Sequence, residues 1–232
     1  MRFVLIALVL VAGCNPPGHE ERERVMRSHT ALMDSLRAVP RCPVGDDGYD
    51  RDFYECRYRR AVEELAVVRR SEYVTLDGAT LRDEILTRHQ SRVALTALDA
   101  GRLEEARGLV DDVRGRIAEA EEDEGYDRYS WSDALEDALV VEGRLALARG
   151  DRETAGRLLL EVGRMLESPT QLSFGPNTTL ARDLAAAGDT AVVEAYFDVL
   201  DSTWEYGAER VAEWRQALAR EESPDYGPNV IY

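Results

Sequence analysis

With 232 residues the chain is long enough for one domain of ordinary or large size, and 45 acidic against 29 basic residues leave it at a net charge of −16. A body so acidic repels nucleic acid and anionic lipid surfaces, which excludes a nucleic-acid-binding role. All the basic residues are arginine and lysine is absent, a bias that GC-rich codon usage produces without any binding function.

In chain order, Arg2 supplies one positive charge ahead of an unbroken apolar run from Phe3 to Ala12. A helix of that length covers about half of the ~30 Å hydrocarbon core of a bilayer. It is too short to span and suits the apolar segment of a secretory signal. The run closes on Val11-Ala12-Gly13-Cys14 and passes at once into Asn15-Pro16-Pro17-Gly18.

That closing tetrad resembles the lipobox of bacterial lipoproteins. The resemblance implies cleavage of residues 1–13 and a diacylglyceryl group on Cys14, whose thiolate is the nucleophile the chemistry needs. Two or more acyl chains would make the anchor stable. Residues 14–18 then form a helix-incompatible spacer between anchor and body. Because Asn15 rather than aspartate follows the cysteine, the family pattern favours the outer membrane in a cell that has one. The alternative is an ordinary signal peptide with Cys14 incidental.

With Cys14 taken by lipid, Cys42 and Cys56 can form one intramolecular pair, and an oxidising compartment favours it. The closed loop of about 15 residues would contribute on the order of 3 kcal/mol. A metal or redox pair fits poorly, since the spacing is not C-x-x-C and no histidine lies between the two.

From His19 the pattern is helical almost throughout. Val25, Leu32, Leu36 and Val39 recur at helical spacing in a segment stopped by Pro40, and Phe53, Val62, Leu65 and Val68 mark a second helix from about Asp50 to Arg70. These form an N-terminal helical pair, residues 19–79, joined by the cysteine staple. The stretch EYVTL at 72–76 is a weak strand candidate, read as a connection. Helix resumes near Thr80 and continues in pairs to Glu222, and the tail 223–232, with two prolines and a glycine, is expected to be flexible or extended.

Within 80–222 the chain repeats itself. The stretches VALTALDAGRLEEARGLVDDV, GRLALARGDRETAGRLLLEV and ARDLAAAGDTAVVEAYFDVL each give an Ala/Leu-rich helix, a glycine, a polar turn and an amphipathic helix. Gly101, Gly150 and Gly188 stand where a helix C-terminus favours a left-handed residue. Five positions later Ala106, Ala155 and Val193 let antiparallel helices approach.

The pattern resembles the tetratricopeptide repeat, best between Leu135 and Pro169 with Gly143, Ala146, Gly150, Asp151 and Ala155. The resemblance implies an all-α fold of antiparallel hairpins stacked as a short solenoid; an irregular helical bundle is the alternative. Departures are a missing aromatic in the first helix and glycine spacings longer than the family's repeat. The acidic aromatic stretch EEDEGYDRYSWSD holds much of the extra length. Stacked first helices would leave a concave groove lined by Arg88, Ser91, Leu95, Asp137, Val140, Arg144 and Arg182, whose arginines could grip carboxylates.

Aromatics gather at Tyr126, Tyr129 and Trp131, at Trp204, Tyr206 and Trp214, and at Tyr226 and Tyr232. They are either surface contacts, Tyr129 and Trp131 foremost, or packing between helices. The sequence NTT at 177–179 reads as a helix start capped by Asn177 or Thr178.

No catalytic motif accompanies these elements. His19, His29 and His89 are scattered, and no nucleophile elbow, phosphate loop or dinucleotide fingerprint occurs. GDDGYDRD at 45–52 places its glycine too early for a calcium loop. No metal or cofactor is expected. The sequence therefore reads as a lipid-anchored, extracytoplasmic scaffold or adaptor that binds a protein partner in the bacterial envelope. The alternative is a lipoprotein that captures a small ligand or glycan.

Overall fold

The computed structural model describes residues 19–44, 49–71, 80–123 and 126–230. The signal segment 1–13, Cys14, the spacer 14–18 and the strand candidate 72–76 lie outside the described residues. Among those residues the fold is all helical. The helices are α1 (His19–Arg37), α2 (Arg51–Arg70), α3 (Thr80–Asp99), α4 (Leu103–Glu121), α5 (Arg128–Ala148), α6 (Arg152–Arg164), α7 (Pro169–Phe174), α8 (Thr179–Ala186), α9 (Thr190–Thr203) and α10 (Ala208–Ala219).

Local chemistry sets most of the boundaries. Asp50 caps α2 by accepting the Phe53 amide at 2.8 Å, and α1 ends three residues before Pro40. The Cys42–Cys56 bridge, with a Cα separation of 5.7 Å, ties the α1–α2 connection to the first turns of α2. Ser168 and Gln171 form a reciprocal capping box on α7.

The three repeated turns share one geometry. Gly101, Gly150 and Gly188 have φ of 77°, 82° and 87°. Each donates its amide three residues back, and the next residue donates five residues back, to Ala97, Ala146 and Leu184 in turn at 2.9–3.0 Å. This is the Schellman closure, which satisfies the free carbonyls of a helix end. Ala106, Ala155 and Val193 follow each turn fully buried, so the partner helices α3/α4, α5/α6 and α8/α9 meet closely there.

The pairs then pack side by side. α2 lies on α3, α3 on α5 and α5 on α8, while α6 packs against α9 and α10 follows on α9. Two glycines of α6 allow the second contact: a methyl on Gly156 would meet Val192 at 3.0 Å, and one on Gly163 would meet Tyr196 at 3.0 Å. A methyl on Gly143 of α5 would overlap the Leu180 side chain of α8.

Helix α5 runs through the centre of the core. Its buried positions include the unbroken run Ala134–Val141, so it has no solvent stripe. One large cluster spans α3 to α10, and a smaller one joins Ala61 and Leu65 of α2 to Val93 of α3. The expected face of α2 holds at Phe53, Leu65 and Val68, but Val62 is 40% exposed and Ala61 takes its place inside.

The C-terminal segment departs most from expectation. Residues 222–226 have no regular secondary structure, but the segment is docked on the body rather than free of it. Tyr226 and Asn229 are buried, and a 3-10 turn covers Gly227–Val230. Trp214 packs with its ring centroid 5.0 Å from that of Tyr226, the planes tilted by 58°, and donates its indole N–H to the Asp225 carbonyl at 2.9 Å. Asn229 donates to the carbonyls of Phe174 and Pro176 at 2.8 and 3.0 Å, and accepts from Arg210 at 3.0 Å. Its own carbonyl accepts the Thr178 amide at 2.9 Å, closing the N-terminus of α8. Within that helix start, Asn177 supplies the side-chain bond to the Thr179 amide, and Thr178 holds the cap position without one.

Candidate functional site

The residues expected to line a concave groove lie largely inside. Ser91, Leu95 and Val140 are at most 1% exposed, and Asp137 is 8% exposed. The physical reason is the burial of α5 on all sides, which closes the face that a solenoid would leave open.

Arg144 is spent within the protein. Its guanidinium bridges Asp99 of α3 and Asp183 of α8, each at 2.7 Å, with 12% of its side chain exposed. Asp99 also takes Arg57 of α2 at 3.4 Å, and Asp183 takes Arg182 at 2.8 Å. The result is a ladder, Arg57–Asp99–Arg144–Asp183–Arg182, that crosses α2, α3, α5 and α8. Burial pulls the Arg144 pKa down, but Asp183 and Asp99 outweigh it and hold the group above its ordinary value. Arg57 moves the other way, lowered by burial and by Arg92, with Asp99 opposing.

A second polar seam lies nearer the start of α5. Glu136 accepts the Asn177 amide at 2.6 Å and the Gln171 side-chain amide at 2.9 Å. Ser91 donates to Asp137 at 3.0 Å, and Arg88 pairs with Asp133 at 2.6 Å. Ser168 bonds the other oxygen of Asp133 at 2.5 Å. Burial, against the opposing pull of Arg92 and Ser91, raises the Asp137 pKa. Arg88 keeps half of its side chain exposed and Arg182 a third.

Glu136 gives this seam a pH dependence. Burial outweighs its two hydrogen bonds and pushes its pKa up to about 8. The folded state therefore favours the protonated form. Its stability contribution is complete below the ordinary carboxylate range and declines as pH rises to about 8, levelling above that. Glu136→Gln should flatten this decline. Thermal unfolding of both proteins across about pH 5 to 8.5 measures it; parallel curves would assign the titration to another group.

The two aromatic candidates part company. Trp131 is 3% exposed and packs 6.4 Å from Tyr126, so it belongs to the core and not to a contact surface. Tyr129 stays at the surface, 45% exposed. Trp204 and Trp214 are buried, and Trp204 donates its indole N–H to the Leu172 carbonyl at 3.0 Å. Tyr206, in the same aromatic cluster, is 77% exposed, and Phe174, which the sequence did not single out, is 64% exposed.

Open space lies elsewhere. Helices α4 and α6 stand apart over α5 and enclose a trough of about 760 Å³. Arg107 and Arg114 line it from α4, Arg149 from the end of α5 and Arg157 from α6. Three carboxylates, Asp111, Glu142 and Glu161, share the walls. Arg114 pairs with Glu142 at 3.3 Å and Arg157 with Glu161 at 3.9 Å, whereas Arg149 makes no ion pair among the described residues. The floor, Leu139 and Leu145, is at most 3% exposed, so a bound segment would meet charge more than apolar surface.

Among the described residues there is no cluster of three or more His, Cys, Asp or Glu able to hold a metal, and no helix is long and apolar enough to cross a membrane. In the comparisons with known proteins, the chain matches no family model, no curated protein and no solved structure.

Proposed function

We propose that this chain is a lipid-anchored, extracytoplasmic interaction scaffold of the bacterial envelope, built from hairpins stacked as a short tetratricopeptide-like solenoid. Three observations support the reading. The turns at Gly101, Gly150 and Gly188 repeat one closure, and the helix pairs they join pack in sequence. The N-terminal tetrad ends on Cys14 and passes into a proline-rich spacer. The third observation carries the proposal: the trough between α4 and α6 holds four arginines against three carboxylates on a chain of net charge −16.

An acidic segment of a partner suits that trough. Guanidinium forks recognise carboxylates bidentately, and Arg149, without an ion pair among the described residues, offers such a fork beside Arg107, Arg114 and Arg157, which pair with Glu104, Glu142 and Glu161. The face of α3, α5 and α8 first indicated by the repeat pattern is closed by packing, so the partner face moves to the outer helices.

Two measurements test the proposal. Cys14→Ser should move the protein from the membrane fraction to the soluble extracytoplasmic fraction, and unchanged sedimentation would refute the anchor. A photo-crosslinker at position 153, beside the trough, should trap one defined envelope protein in intact cells. Arg149→Glu with Arg157→Glu should abolish that product while leaving the circular dichroism unchanged. A product that survives both substitutions would place the partner on another face.

A further inference from the structure

We propose that the cleft between α2 and α3 is a binding site for a small oxyanion, a carboxylate or phosphate group, independent of the partner trough. The cleft encloses about 240 Å³ beside the Cys42–Cys56 bridge. Arg57 and Arg60 enter from α2 and Arg92 from α3, with Glu64 as the one carboxylate among the lining residues. Three guanidinium groups against one carboxylate stand out on a chain of net charge −16.

The cations differ in how far they are neutralised. Arg60 pairs with Glu64 at 2.8 Å, and Arg57 reaches Asp99 at 3.4 Å. Arg92 makes no ion pair or side-chain hydrogen bond through its guanidinium among the described residues. Asp137, which feels the Arg92 charge, is buried and already bonded by Ser91. Arg92 lies near enough to Arg57 to disfavour the charge of Arg57, a repulsion that a bound anion would relieve.

The remaining lining suits a compact ligand. Phe53, Ala61 and Thr96 complete the walls and leave space for one small acid group, not a nucleotide. Planar carboxylates and tetrahedral phosphates both accept paired N–H donors from arginine. The protein supplies binding here and no chemistry.

Calorimetric titration of the folded full-length protein with inorganic phosphate and, separately, with malonate tests the site at fixed ionic strength set with sodium chloride. At least one should bind saturably at one equivalent, with a dissociation constant of about 1 mM or tighter. Arg92→Gln should weaken binding at least tenfold, and Arg92→Lys less. Arg149→Gln, in the separate trough, should leave it unchanged. Tighter phosphate binding would point to a phosphoryl-bearing ligand, tighter malonate to a carboxylate. Heat that fails to saturate, or binding insensitive to Arg92→Gln in a variant with native circular dichroism, would overturn the proposal and leave the scaffold reading intact.

Discussion

Replacing Arg144 by methionine should lower the unfolding free energy by about 3–5 kcal/mol, the usual effect of removing one partner from a buried ion pair. Methionine matches the side chain's length and isolates the charge. The substitution would leave Asp99, whose side chain is 5% exposed, with Arg57 at 3.4 Å as its remaining cation. Asp183 keeps Arg182, so the damage should fall mainly on the α3–α5 contact. Arg144→Lys should fall between the two, because an ammonium cannot present the guanidinium's separate Nε and Nη1 donors to Asp183 and Asp99. Urea denaturation measures all three proteins. A loss below about 1 kcal/mol for methionine would mean that solvent screens the bridge as it does surface pairs.

Asn229→Ala is expected to destabilise by about 3 kcal/mol. Asn229 is fully buried, and its side chain satisfies the Phe174 and Pro176 carbonyls and the Arg210 guanidinium. Each buried group left unpaired costs about 1–3 kcal/mol. Partial relaxation and water entry keep the total near the lower part of the summed range. The loss should be local as well as global, since the same residue's carbonyl closes the start of α8. Limited proteolysis should therefore cut the variant first between Phe174 and Thr179. Asn229→Asp keeps an acceptor for Arg210 but loses both donated bonds, and should resemble alanine in the proteolysis pattern. An uncut junction with native stability would show the Asn229 side chain to be dispensable.

What was legible in the sequence is what short-range chemistry decides. Gly101, Gly150 and Gly188 announce their turns because a left-handed residue at a helix end strongly favours glycine, and the structure places all three there. Asp50 before an apolar-periodic run marks the start of α2, and Pro40 marks the limit of α1. With Cys14 read as a lipid site, the remaining cysteines allow one pairing, and the structure bridges Cys42 and Cys56. Ala106, Ala155 and Val193 follow from hairpin geometry and prove fully buried.

Long-range pairing was not legible. Arg144 finds its carboxylates 45 and 39 residues away, and Arg57 reaches Asp99 across 42. Nothing local distinguishes an arginine that will bridge two buried carboxylates from one on a solvated face, so Arg144 was assigned to a groove. Trp131 shows the same limit: an aromatic in an acidic stretch leaves surface contact and helix packing both open until α5 is seen to begin at Arg128 and carry it into the core. The stretch DALVV at 137–141 held a signal that the repeat pattern left unused, since four apolar residues in a row leave α5 no solvent stripe. The tail's two prolines argued against helix, which is correct for 222–226, but said nothing about docking.

The charge ladder has a consequence for how this helical body can evolve. In an ordinary solenoid each unit contacts its neighbours through interchangeable apolar surfaces, so units can be gained or lost singly. Here excision of α5 and α6 would strip Asp99 and Asp183 of the cation they share, leaving Asp99 to the longer contact with Arg57 and Asp183 to Arg182 alone. Duplication would insert an arginine with no acid reserved for it. The number of hairpins is thereby locked, and the protein should melt as one block instead of fraying unit by unit.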